Sequence, residues 1–128
     1  MSAKSNYLEG KLIEHVLRNT AYTSPSTVHL SLHTADPTEA GTGTEVSGSG
    51  YTRQQIAFDA HSNGACANSD DETFTASGGS FGTVTHFGIF DASSSGNLLY
   101  YGALTASKVV ADGDSLKFAA GSITITEA

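Results

Sequence analysis

Residues 83–127 read TVTHFGIFDASSSGNLLYYGALTASKVVADGDSLKFAAGSITITE, and their reading decides the fold class. Apolar and polar residues alternate in three runs, separated by turn clusters at Asp91–Gly96 (DASSSG) and Ala111–Asp114 (ADGD). A period of two broken by Asp, Ser and Gly predicts antiparallel strands joined in sequence. In residues 97–106 both faces are apolar, with Leu98, Tyr100 and Leu104 on one and Leu99, Tyr101 and Ala103 on the other. Residues 83–92 likewise set Val84 and Phe90 against Phe87 and Ile89. A strand apolar on both sides needs cover on both, from a second sheet, the helix or another subunit. The last run places Leu116 and Phe118 before Ile123 and Ile125, with Gly121 as a bulge or bend between them.

Upstream, residues 27–34 (TVHLSLHT) carry the cleanest alternation in the chain. Val28, Leu30 and Leu32 face one way and His29, Ser31 and His33 the other, which predicts a strand with one wet face. Further strands are expected over residues 52–60 and 72–76, with polar stretches at 61–72 and 77–80. One helix is expected, over residues 6–20: Asn6 as cap with Glu9 three residues on suits a capping box. Leu8, Leu12, Ile13, Val16 and Leu17 then form one apolar stripe, and Asn19 with Ser24-Pro25 ends it. Gly10 costs such a helix roughly 1 kcal/mol against Ala, so packing must hold it. Residues 35–50 (ADPTEAGTGTEVSGSG) have no periodicity, and a loop of that length reads as an extended arm.

The fold class is therefore mainly β, an antiparallel sandwich of jelly-roll-like kind with one N-terminal helix, in a single domain over residues 1–128. Charged residues are only 15% of the chain, as suits extended polar β surfaces. The formal net charge is -7, with 6 Lys plus Arg against 13 Asp plus Glu. That balance cannot neutralise many phosphates, so neither nucleic acid nor an anionic membrane surface is an expected partner. Cys66, the single cysteine, rules out a disulfide within the chain and any thiolate-rich metal site. The start MSAKSN has no apolar targeting segment, and synthesis in a cytoplasm is expected.

A search for chemistry finds little. His29 and His33, four apart in a strand, lie roughly 13 Å apart and cannot share an ion by themselves. A tertiary site with His86 or His61 stays open beside the plainer reading of solvated imidazoles. There is no G-x-S-x-G, no P-loop and no dinucleotide fingerprint. The acids cluster in loops (Asp36, Glu39, Glu45; Asp70, Asp71, Glu72; Asp112, Asp114), where solvation and turn-making account for them. Asp70-Asp71-Glu72 could ligate Ca²⁺ but lacks the EF-hand spacing. No catalytic residue, cofactor or metal ligand is assigned, and no enzymatic activity is expected.

Several segments resemble small virion proteins of tailed bacteriophages. They are Tyr7–Leu12 (YLEGKL), His29–Pro37 (HLSLHTADP), Glu45–Gln54 (EVSGSGYTRQ) and the C-terminal GIFDA, GNLLYYGAL and GDSLKFAAG. The resemblance spans nearly the whole chain, and its motifs are turns and strand ends rather than catalytic signatures. Such proteins include tail-fibre-like and capsid decoration (cement) proteins, so the resemblance implies a virion structural component. A decoration protein on the capsid surface is the leading expectation, bound to the major capsid protein. A homo-oligomer is expected, a trimer because capsids offer local three-fold positions. A tail, tail-fibre or baseplate component bound to tail proteins is the alternative within the class. A host-surface carbohydrate-binding module, stacking sugars on Tyr51, Tyr100 or Tyr101, is the alternative outside it. Residues 35–50 are the expected contact arm. Arg53 and Lys108 are candidate polar contacts to a shell or neighbour, with plain solvation as the simpler reading.

Overall fold

The structure, a computed structural model, describes residues 3–127. Strands β1 (Ala3–Lys4), β2 (Val28–His33), β3 (Gln54–Ile56), β6 (Gly82–Phe90) and β7 (Leu98–Val110) form an antiparallel sheet in the order β1-β7-β6-β2-β3. Two ribbons accompany it: β4 (Ala65–Ala67) with β9 (Thr124–Thr126), and β5 (Glu72–Thr75) with β8 (Ser115–Phe118). The helix α1 covers Asn6–Leu17. The chain is thus mainly β and antiparallel with one helix near its N-terminus, as the alternation predicts.

One core lies between the sheet and the ribbons. Leu30, Leu32, Ile56, Val84, Phe87, Ile89 and Val110 come from the sheet, and Phe74, Leu116, Ile123 and Ile125 from the ribbons. Tyr51 stacks on Phe74 with ring centroids 5.9 Å apart and meets Phe81 edge-on at 5.8 Å. Such aromatic pairs add about 0.5–1.5 kcal/mol beyond area burial. Asn68, fully buried, ties the ribbons together: its side chain donates to the Asp70 and Ala119 carbonyls and accepts from the Ile123 amide.

Several local expectations change. Only β6 and β7 form a hairpin among the C-terminal strands, because β8 pairs with β5 and β9 with β4. Leu98 stands opposite Phe90, whereas Tyr100 stands opposite Ile89, because a bulge at Leu99 shifts the register by one. Leu98 and Tyr100 therefore face opposite sides of the sheet, contrary to strict alternation. A second irregularity, between Val84 and His86, puts Val84 on the same side as Phe87 and Ile89, with Phe90 on the other. The expected wet face of β2 is dry: Ser31 is 0% and His33 2% exposed.

Phe90 stacks on His33 with ring centroids 6.1 Å apart, and Leu98 and the Gly88 backbone lie beside Ser31 and His33. Residues 35–50 do not project but return to the edge of β2, where Thr34 N–H donates to the Thr44 carbonyl and Val46 N–H to the Leu32 carbonyl, each at 2.9 Å. Gly41 packs on Leu98, and Gly43 lies so close to Asp36 and Pro37 that only a glycine fits. The second apolar face of β7 is likewise covered from within, since Leu98 and Leu99 are buried while the Ser5 amide bonds the Leu99 carbonyl. Further along the expected face, Tyr101 is half-buried and Ala103 is exposed.

The helix differs most. Its cap is Ser5, whose Oγ accepts from the Leu8 amide at 3.2 Å and also bonds the Leu98 carbonyl. Glu9 is therefore one residue too late for a capping box. Asn19, at φ 55, ends the helix in the left-handed conformation, and the Thr20 amide returns to the Glu14 carbonyl. Only Leu8 of the apolar stripe is buried, and Ile13, Val16 and Leu17 are 56%, 71% and 77% exposed.

Candidate functional site

The densest polar constellation is built by residues 45–53. Gly48, Ser49 and Gly50 all have positive φ, which reverses the chain and brings Arg53 back onto Glu45. Arg53 Nε and Nη2 donate to the Glu45 carboxylate at 2.9 and 2.8 Å, a two-pronged ion pair. Arg53 Nη1 reaches the carbonyls of Ala92 and Ser95 at 2.9 and 2.7 Å, and the guanidinium lies 3.7 Å from the centre of the Phe90 ring. Tyr51 Oη donates to Glu45 at 2.6 Å and accepts from the Leu32 amide at 3.1 Å. Burial pushes the Glu45 carboxyl up, but hydrogen bonds from Arg53 and Tyr51 outweigh it and hold the group below its ordinary value. Burial, reinforced by the Glu45 bond, pushes the Tyr51 phenol strongly upward.

Beside this clamp, Ser31 Oγ and His33 Nε2 share a 2.8 Å hydrogen bond. His33 Nδ1 is buried without a hydrogen-bond partner. Serine, histidine and acid are thus neighbours, yet the Glu45 oxygens are engaged by Arg53 and Tyr51 rather than by the imidazole. Ser31 and His33 are sealed from solvent, so no substrate carbonyl reaches the hydroxyl. The arrangement locks strand β2, the returning loop and the 91–97 turn into one body. Burial lowers the His33 pKa, with Arg53 and His86 adding to the effect and Glu45 opposing it.

The other candidates disperse. His33 stands across from His86 in the β2–β6 pairing, while His15 caps the helix end through contacts with Thr20 and Tyr22. Among the described residues no three His, Cys, Asp or Glu side chains are grouped to hold an ion. Asp71 bonds the Ala120 amide and Lys117, and Asp91 closes its turn through Asn97. Of the three tyrosines, Tyr51 packs in the core, Tyr100 is half-buried with its hydroxyl on Glu127, and Tyr101 is half-buried opposite Ala3. Arg53, a candidate surface contact from the sequence, has only 7% of its side chain exposed, so it serves the fold internally. Lys108 is exposed.

Among the described residues two surface features remain besides the exposed Val109 of β7. The first is the α1 face of Ile13, Val16 and Leu17, beside a hollow of about 280 Å³ lined by Lys4, Glu9, Leu12 and Ile13. Every residue from Ile13 to Ala21 is exposed, so the second half of the helix stands clear of the sheet. The second is an open groove of about 510 Å³ between the later part of β7 (Leu104, Thr105, Ala106) and the β8–β9 segment (Leu116, Phe118, Ile123).

Fold and surfaces meet a comparison that spans almost the entire chain. The family model described as "Podophage GP4 fiber I protein gp80" matches residues 3–126. The chain belongs to this family. It is a virion structural protein of a tailed bacteriophage. No curated protein matches the chain. Within this member of the podophage fibre family, the Glu45–Gln54 segment that carried the sequence resemblance is the Glu45–Tyr51–Arg53 clamp. Sequence reasoning singled out the segment but not its internal pairing. The available signal was Glu, Tyr and Arg on either side of a Gly-Ser-Gly reversal.

Proposed function

We propose that this protein is a structural component of the phage fibre apparatus, not an enzyme, and that it works by assembly through the exposed face of α1. The description of the matched family as a fibre protein supports the fibre over the head. The observation that carries assembly is the helix itself, which presents Ile13, Val16 and Leu17 to solvent on a half that the sheet does not cover. Isolated helices this short are marginal in water, so an uncovered apolar half is stabilised by whatever docks on it. The role is mechanical, with many copies adding modest contacts into a strong attachment. The rigid clamp around Arg53 suits a part that bears load.

Capsid decoration would use the same face on a different partner. Gold-labelled antibody against the purified protein, applied to intact phage and viewed by electron microscopy, separates the two. Label at the tail end is expected. Label spread over the head would replace the fibre reading with decoration.

A further inference from the structure

The strands that enclose the core leave one seam open. Going round it, β7, β6, β2 and β3 are joined by hydrogen bonds, β3 touches β5, β5 pairs with β8, and β8 returns to β7. There β7 and β8 meet without pairing, and the groove of about 510 Å³ lies between them. Phe87, Leu104, Leu116, Phe118 and Ile123 line it from the core, and of these Leu104 and Phe118 are only half-buried.

Both edges along the seam are free. Among the described residues β1 covers the outer edge of β7 only at Tyr100 and Tyr101, and β8 has only β5 as a pairing strand. The ladder to β6 is broken in the same stretch. Thr85 alone separates Val84 from His86, whereas Leu104, Thr105, Ala106 and Ser107 separate the residues paired with them, Lys108 and Ala103. With four residues set against one, the amides and carbonyls of this part of β7 are open to an incoming chain.

Charge narrows what can enter. Lys4, Arg18, Arg53 and Lys117 each hold a carboxylate and Lys11 lies over the Tyr7 ring, whereas among the described residues Lys108 has no partner. Lys108 stands opposite the buried Val84 and lines the groove. A lysine on a free edge costs an apolar strand its desolvation, repels a basic strand and attracts an acidic one. Two copies of this chain, each of net charge -7, repel at long range, which favours a strand from a different chain.

We propose that this seam takes up an extended, acidic segment of a different chain, which adds as a strand to the free edge of β7. Every second side chain of the segment is apolar and sits on Leu104 and Phe118. Its main chain bonds residues 104–107, and a carboxylate meets Lys108. A strand of ordinary length, about five or six residues, is enough. The seam is a different surface from the exposed face of α1, so the proposal stands apart from the fibre reading and fails independently of it.

The test is an NMR titration of the isotopically labelled full chain with a synthetic hexapeptide alternating valine with glutamate, and with its valine–lysine counterpart. The glutamate peptide should shift the amides of residues 103–108 and 116–118 and bind about tenfold or more tightly than the lysine peptide. Lys108→Glu should reverse that preference and leave the thermal melt unchanged, since Lys108 is exposed. N-methylation of the peptide amides should abolish binding, because strand addition uses them. No binding of the glutamate peptide, shifts confined to other residues, equal affinity for the two peptides, or tolerance of N-methylation would each overturn the proposal. Self-association that protects residues 103–108 in the absence of peptide would overturn it too, since a second copy would then fill the seam.

Discussion

Replacing Arg53 with Met is the sharpest probe of the 45–53 clamp. The guanidinium makes two bonds to Glu45, two to the Ala92 and Ser95 carbonyls, and a face contact with Phe90 at 3.7 Å. Hydrogen bonds to charged groups are worth about 1.5–3 kcal/mol each, so a simple sum runs to roughly 6–12 kcal/mol. That sum is too large, because unfolding returns the guanidinium to water and recovers its desolvation. What remains is the cost of leaving Glu45, at 25% side-chain exposure, without its cation. A cost of about 3–5 kcal/mol is expected for breaking a largely buried pair. For a chain of this size that lowers Tm by roughly 10–20 °C. Urea unfolding followed by circular dichroism measures it, since the chain has no Trp for fluorescence. The double variant Arg53→Met with Glu45→Gln should recover about 1–3 kcal/mol, because no charge is then stranded. An Arg53→Met variant within about 3 °C of the parent would refute the clamp as a source of stability.

Gly43→Ala should be costly, since its Cβ would fall 2.2 Å from the Asp36 carbonyl oxygen and 2.6 Å from Pro37 Cα. Moving that backbone is expected to cost about 1–3 kcal/mol and to expose the Thr34 and Val46 amides to faster hydrogen exchange, whereas unchanged exchange would mean a free arm. Acid should destabilise the fold in two steps. His33 and Glu45 both have folded pKa values below their ordinary 6.5 and 4.5, so the unfolded chain binds more protons in each window. Stability should therefore fall as pH drops below about 6.5, and fall again below about 4.5. His33→Gln should flatten the upper step in a pH series of urea midpoints, and an unaltered upper step would assign it to another group.

The alternating runs of residues 83–127, the turn clusters between them and the stripe of residues 8–17 determined a mainly antiparallel β chain with one helix. Those signals are local, because side-chain periodicity follows directly from strand and helix geometry. Strand β4 left no such signal: Ala65-Cys66-Ala67 is short and lies in a polar stretch, and it exists through pairing with Ile125 and its neighbours. The bulge at Leu99 was also invisible, although one extra residue reverses which side chains face the core. Burial of Ser31 and His33 depended on Phe90 and Leu98, which the pairing of β2, β6 and β7 brings against them from distant parts of the chain. The Glu45–Tyr51–Arg53 clamp lay in a segment already conspicuous for its glycines, yet only the folded reversal showed that its charges satisfy each other. The helix stripe was legible from the start. Only the tertiary structure decided that the sheet covers Leu8 and leaves Ile13, Val16 and Leu17 in water, because α1 is anchored at one end.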